Sequence, residues 1–366
     1  MKNFNVAAAR SNLSHPPFDS QLPPRLGLFV SAVPNDDFTE ASNLDSHSPK
    51  SGNKTERALQ PGPQWLSGRF SHPTGVHEFK VYVPSSYDGA ATSLIVMLHG
   101  AGQDADDFAL GTEMNLAAES GGHIVVYPEQ GTSANMFRCW NGFRPADQLR
   151  DSGEASIIAG ITREVMASYE IDPTRVFIAG MSAGAAMAVN LALTHPDLYA
   201  AAGIHSGLAF GVADEAFSAM SAMRMGTCAP QLSAARDAIG VRRAVPLIVF
   251  HGDQDTTVHP QNAEVLMQMH RNLMAGTEDA RASVTTELGQ VEQGYPYTRN
   301  TFCHGGGEVF GEQWLIHGLG HAWSGGDSNA THTDARGPHA AREMMRFFDT
   351  VADARYAAQS GGVLED

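Results

Sequence analysis

Apolar residues in this chain gather in short continuous runs, separated by polar, glycine-containing turns and by longer segments rich in Ala, Leu and Met. Leu94–Leu98, His123–Tyr127, Arg175–Ala179, Leu198–His205 and Val245–Phe250 are such runs, each too short for a stable helix. Continuous β-branched and apolar composition without alternation is the pattern of a strand buried on both faces. Gln313–Ile316 is a further short strand candidate. Segments near Phe108–Glu119, Glu154–Tyr169, Ala185–Leu193 and Ala340–Val351 carry good helix formers and predict helices. Gly68–Phe70 and Glu78–Val83 predict an antiparallel pair at the entry to the sheet, with Pro84–Gly89 breaking away as a loop. This alternation predicts an α/β fold, a mostly parallel sheet with helices on both faces. Residues 1–64 differ, being rich in Ser, Asn, Pro and Asp with little periodicity. They read as a flexible N-terminal arm ahead of a single domain over residues 65–366.

The element boundaries place chemistry at the strand ends. Gly180-Met181-Ser182-Ala183-Gly184 reads G-x-S-x-G between the strand Arg175–Ala179 and the helix Ala185–Leu193. A serine on such a turn must adopt a strained backbone, and the helix behind it aims its first N–H groups at whatever the serine attacks. A serine hydroxyl needs a base and an orienting acid. After Val245–Phe250 come Asp253 and Asp255 in His251-Gly252-Asp253-Gln254-Asp255. Asp255 is favoured because it lies beyond the strand end, while Asp253 reads as a turn residue bonding its own backbone. His321 stands in the glycine-rich loop Gly318–Gly326, with His317 at the strand edge as its rival. Ser182, Asp255 and His321 follow the chain order of an α/β-hydrolase fold. The gaps between them leave room for a substrate-covering insertion. Upstream, His99-Gly100-Ala101 ends the strand Leu94–Leu98, so the backbone N–H groups of Ala101 and Ala183 are the expected donors to an oxyanion.

Two patterns are set aside. His304-Gly305-Gly306-Gly307 looks like an oxyanion motif but lies between the acid and the base, where a hairpin or loop is expected. His317 and His321 have a helical metal-ligand spacing, yet Gly318 and Gly320 oppose a helix there and no C-x-x-C or H-E-x-x-H occurs. The expectation is no metal and no cofactor. Three cysteines, Cys139, Cys228 and Cys303, are an odd set and no disulfide scaffold. The formal net charge of −16 speaks against nucleic acid and anionic membranes as partners. No apolar run approaches the roughly 18 residues of a membrane span. The start lacks a basic region followed by a long apolar one, so a cytoplasmic location is expected, although a chain trimmed of its leader would read the same.

With these residues in view, the chain resembles the short-chain polyhydroxyalkanoate (PHB) depolymerase family of esterases in the α/β-hydrolase superfamily. The matching blocks are Tyr82-Val83-Pro84, Val96–Gly100, Tyr127–Gln130, Arg138-Cys139-Trp140-Asn141, Gly180–Gly184, Val249–Pro260, Gly320–Gly326 and Asp334–Pro338. They run from about residue 65 to 350, and the Cys-Trp-Asn and Gly-His-Ala-Trp-Ser-Gly-Gly blocks are far more specific than G-x-S-x-G. The resemblance implies a serine esterase acting on small esters, oligoesters or polyesters such as polyhydroxyalkanoate, with Ser182, Asp255 and His321 as its triad. Trp140, Asn141 and Trp323 are expected to line the cleft, an indole beside the catalytic loops offering apolar area and a donor together. Ala101 departs from the Cys that relatives often carry after His-Gly, and if that Cys normally pairs with the one in Cys-Trp-Asn, Cys139 is left unpaired. Gly142 departs from the Trp that relatives often carry there. The alternatives are a feruloyl or acetyl-xylan carboxylesterase and, of another class, a non-catalytic hydrolase-fold binding protein.

Overall fold

The computed structural model describes residues 62–227, 229–274 and 283–361. The expected N-terminal arm lies outside the described residues as far as residue 61. In chain order the elements are β1 (Gln64–His72), β2 (Gly75–Val83), β3 (Thr92–Leu98), α1 (Ala105–Thr112), α2 (Met114–Gly121), β4 (Ile124–Pro128), α3 (Gly153–Ser168), β5 (Ile171–Met181) and α4 (Ala183–Thr194). There follow β6 (Ala201–His205), α5 (Ala216–Met225), α6 (Leu232–Ile239), β7 (Leu247–Gly252), α7 (Gln261–Met274), β8 (Ser283–Gln290), β9 (Pro296–Cys303), β10 (Val309–Ile316) and α8 (Ala340–Gly361).

Ten strands form one sheet in the order β1-β2-β4-β3-β5-β6-β7-β10-β9-β8. From β4 to β10 neighbours run parallel, and β1–β2 and β8–β9 add antiparallel pairs at the two ends. The parallel centre is where the sequence shows unbroken apolar runs, since both faces are covered. Leu94, Val96 and Leu98 pack on one side with residues of α3, α4, α6 and α7, while Ile95 and Met97 pack on the other with residues of α1, α2 and α8. Each such buried side chain contributes about 1.5–3 kcal/mol of transfer free energy.

Three features depart from the expected elements. The helix expected near Phe108–Glu119 is two helices, broken at Glu113, which turns left-handed with φ 53°. The loop at 326–333 lies on Gly111 there, and Glu113 hydrogen-bonds His339 Nε2 at 2.8 Å. The gap between β6 and β7 holds α5 and α6, and β8 and β9 extend the sheet beyond β10. His304–Gly307 forms the β9–β10 hairpin turn, as expected, with His304 and Glu308 bonded main chain to main chain.

On the α8 side of the sheet, registered neighbours stack their rings. His205 lies opposite Phe250, and Phe250 opposite Trp314. The centroids are 5.9 and 5.4 Å apart and the planes nearly parallel. Trp323 continues the column at 5.0 Å from His205, anchoring the loop beyond β10 to the core.

Candidate active site

Ser182 sits between β5 and α4 with φ 55° and ψ −117°, a conformation that a side-chain-bearing residue rarely holds. Close packing enforces it. A Cβ at Gly184 would lie 2.1 Å from Leu98 O, so only glycine lets α4 start this near β3. Ser182 N donates to His205 O and Ser182 O accepts from Ala186 N, which locks the turn.

The turn after β7 and the loop after β10 are joined main chain to main chain. Asp253 N donates to Ile316 O and Gln254 N to Leu319 O, each at 3.0 Å. A Cβ at Gly252 would lie 2.1 Å from Leu319 O, so this approach also requires glycine. The contact brings Asp255 Oδ2 to 2.7 Å from His321 Nδ1, and His321 Nε2 to 3.0 Å from Ser182 Oγ. Asp255 is buried, and its Oδ1 accepts from Thr257 N and Val258 N. Burial alone would raise its carboxyl pKa, but the bond to His321, that ring's charge and the Val258 N–H outweigh it and hold the group below its ordinary value. The carboxylate is therefore ionised and fixed against one ring nitrogen, which leaves Nε2 toward the serine.

Asp253 does not bond its own backbone as expected of a turn residue. Its Oδ1 accepts from Gly318 N at 2.8 Å and its Oδ2 meets His317 Nδ1 at 3.0 Å. His317 Nε2 in turn meets Thr298 Oγ1 at 2.9 Å, away from His321. Among the described residues no group of three or more His, Cys, Asp or Glu side chains is arranged to hold a metal ion.

Ala101 and Ala183 flank Ser182 on a cavity of about 90 Å³. Neither N–H donates to another group among the described residues. The Gly100–Ala101 peptide is set by His99. Gln130 N donates to His99 Nε2, so Nδ1 carries the proton and donates to Gly100 O at 2.8 Å. Burial lowers the His99 pKa and keeps the ring neutral in this role. In a planar trans peptide the Ala101 N–H points opposite to Gly100 O.

The Cys139–Gly142 stretch forms another wall. Trp140 is buried, lines the cavity and packs 5.5 Å from the His99 ring, and its Nε1–H has no partner among the described residues. Asn141 and Trp323 depart from the expectation, since neither lines this cavity. Asn141 is 1 % exposed, and Glu154 consumes its N–H and its Nδ2. It holds the wall from behind. Trp323 is fully buried in the aromatic column beneath the base loop. Glu154, second residue of α3, also accepts from Gln130 Nε2. Burial leads in raising its pKa, against these hydrogen bonds. Cys139 is a free thiol that burial, then the Glu154 charge, pushes up to about 11. Cys228 lies outside the described residues.

Sequence reasoning missed part of the cavity wall. Ala219 and Met223 of α5, Gln148 and Asn190 line it. The room for an insertion between Ser182 and Asp255 was a signal for α5. Nothing in the local pattern marked Gln148.

A parallel-centred sheet carrying this serine turn between strand and helix defines an α/β-hydrolase. The chain belongs to the esterase PHB depolymerase family, whose model matches residues 77–291. It is 30% identical to poly(3-hydroxyalkanoate) depolymerase C of Paucimonas lemoignei over 256 residues, covering 69% of this chain and 59% of that protein. The chain thus spans about three-fifths of that relative's length. It is 32% identical to feruloyl esterase B of Thermothelomyces thermophilus over 215 residues, 56% of this chain and 72% of that one. A probable acetylxylan esterase A of Aspergillus clavatus is 29% identical over 203 residues, 52% of this chain and 64% of that one. Among solved structures, the acetyl xylan esterase from Aspergillus awamori shares the fold, with a TM-score of 0.58 and 20% identity over 79% of this chain and 99% of that one. No helix among the described residues is long and apolar enough to cross a membrane. The cytoplasmic location expected from the sequence finds no support in these relatives.

Proposed function

We propose that the domain from residue 65 onward hydrolyses carboxylic esters by a serine acyl-enzyme mechanism, with short aliphatic hydroxyalkanoate esters or oligoesters as substrates. The observation that carries this reading is the strained Ser182 with its Oγ 3.0 Å from His321 Nε2, the same ring being held 2.7 Å from Asp255. Ser182 Oγ attacks the ester carbonyl while His321 takes its proton. Asp255 keeps the ring oriented and stabilises the imidazolium. The N–H groups of Ala101 and Ala183 receive the oxyanion, each donor of this kind contributing about 3–4 kcal/mol to the barrier reduction. His321 then protonates the departing alcohol and takes a proton from water, whose hydroxide attacks the acyl carbon; the acid leaves as Ser182 Oγ takes that proton back from His321.

Mostly apolar walls beside Ser182 and the poly(3-hydroxyalkanoate) depolymerase relative support an aliphatic acyl group. A second reading, a short acyl group on a carbohydrate alcohol, is supported by the acetylxylan esterase relatives and the same small cavity. The test is labelling by a fluorophosphonate together with acid release from hydroxybutyrate oligomers, p-nitrophenyl butyrate and methyl ferulate. Labelling of Ser182 with turnover of the aliphatic esters is expected. A protein that resists the probe and releases no acid is instead a binding protein on a hydrolase fold, and turnover of ferulate alone moves it to aromatic plant esters.

A further inference from the structure

The cavity beside Ser182 contains two side-chain amides with their nitrogens already spent. Gln148 Nε2 donates to Gly142 O, Phe143 O and Ala213 O, at 3.1, 3.1 and 2.9 Å. Asn190 Nδ2 donates to Gly142 O at 2.8 Å and to Asp147 O at 3.3 Å. All five bonds end on carbonyl oxygens, Gly142 O accepting from both amides, and only the amide nitrogen can donate to them, so neither amide is flipped. Each therefore retains a carbonyl oxygen, and neither oxygen has a hydrogen-bond partner among the described residues. Asn190 is 3% exposed and both side chains line the cavity. An unspent acceptor in an otherwise apolar pocket costs free energy until a donor arrives. No charged side chain lines the cavity, which suits a neutral hydroxyl rather than an ammonium.

The geometry also says which part of an ester enters. The leaving alcohol must face His321 Nε2 to receive its proton, and His321 does not line the cavity, whereas Ala101, Ser182 and Ala183 do. The cavity is therefore on the acyl side. Its volume is about 90 Å³, while benzene fills an engineered apolar cavity of about 150 Å³. That is room for one acyl unit of a few carbons.

Resting on Ser182 as the nucleophile, we propose that Gln148 Oε1 and Asn190 Oδ1 form a subsite for the free hydroxyl of a terminal hydroxyacyl unit. In an oligoester only the hydroxyl-end unit has a free hydroxyl on its acyl side, since every internal one is esterified. A subsite that reads this hydroxyl makes the enzyme exo-acting. It removes one hydroxy acid at a time from the hydroxyl end, and the rest of the chain leaves as the alcohol past His321.

The experiment uses 3-hydroxybutyrate trimers that are free, methylated on the terminal hydroxyl, or methyl-esterified at the carboxyl end. Monomer from the hydroxyl end is the expected first product from the free and carboxyl-capped trimers, with the hydroxyl-capped trimer at least tenfold slower. In parallel, p-nitrophenyl 3-hydroxybutyrate is expected to exceed p-nitrophenyl butyrate at least tenfold in kcat/KM, a comparison in which no added bulk enters. Gln148→Lys keeps nitrogen donors for the three carbonyls and removes the acceptor, so the ratio between the two p-nitrophenyl esters should fall toward one. Equal rates on free and hydroxyl-capped trimers, or a wild-type ratio near one, overturn the subsite while leaving the Ser182 reading intact. Absence of any Ser182-dependent turnover overturns both.

Discussion

Two rows of hydroxyl, imidazole and carboxylate lie across the same pair of loops. Ser182, His321 and Asp255 are linked at 3.0 and 2.7 Å; Thr298, His317 and Asp253 are linked at 2.9 and 3.0 Å. By distance alone they are equivalent. They differ in their surroundings. The Asp255 side chain is fully buried and that of His321 is 13% exposed, against 30% for Asp253 and 37% for His317. Ser182 is held in a strained turn at the start of a helix, whereas Thr298 lies in regular pairing between β8 and β10. Only the first row opens on a cavity with two unspent backbone donors. A hydroxyl–imidazole–carboxylate row becomes a nucleophile only where charge developing in the transition state meets donors that are already aimed. The second row has another use, since Asp253 ties the turn after β7 to Gly318 and His317 and so holds the first row in place.

The comparison is broken most directly by the two hydroxyls. Ser182→Ala is expected to lower kcat by about 10⁴-fold or more, with an unchanged melting temperature, and Thr298→Ala to leave turnover within a few-fold. Ester hydrolysis kinetics check both, and loss of turnover in Thr298→Ala beside an active Ser182→Ala would move the chemistry to the second row. The carboxylates come next. Asp255→Asn should cost up to about 10⁴-fold by releasing the ring's tautomer, and Asp253→Asn under about tenfold, the scale of a partly exposed ion pair. The opposite ranking would make Asp253 the orienting acid.

Gly252→Ala tests the clasp between the loops. Its Cβ would meet Leu319 O at 2.1 Å and push the base loop away from Asp255, and a displacement near 1 Å costs about 10²-fold in rate. Wild-type turnover in this variant would show that the loops hold their register without this contact. The smallest effect concerns imidazoles that only stabilise the fold. Burial pushes His205 down to about 3 and His270 to about 4, from 6.5. Between pH 6.5 and 4 the unfolded chain takes up protons that these native rings refuse. Stability is therefore full above pH 6.5 and falls as acid is added, by up to about 1.4 kcal/mol per pH unit for each ring. His270→Gln should flatten the fall of melting temperature between pH 7 and 4.5, and an unaltered slope would refute the assignment.

How far the chain could be read depended on how far apart the causes of each feature lie. The β5–α4 junction was legible because an apolar strand, two glycines and a helix former run are contiguous around Ser182. β8 was not, because its residues are almost all exposed and carry no apolar period. The break at Glu113 was hidden for the opposite reason, its cause being the loop at 326–333 packed on Gly111. Asp253 looked like a turn residue because its partners, His317 and Gly318, lie more than 60 positions away. Trp323 was placed at the cleft by its neighbour His321, but the stack with His205 draws it into the core.

Local composition and chain order sufficed for the α/β class and the serine turn, and they pointed to Asp255 and His321, which the structure brings together with Ser182, because strand ends on one edge of a parallel sheet must converge. The shape and chemistry of the cavity beside Ser182 came from packing. Gln148 and Asn190 have ordinary neighbours in the chain, and their amide nitrogens are consumed by carbonyls brought near only when the stretch from Gly142 to Asp147 folds against α4 and the segment before α5. Hydrogen bonds of that kind depend on distances across the folded core, which spacing along a chain does not encode.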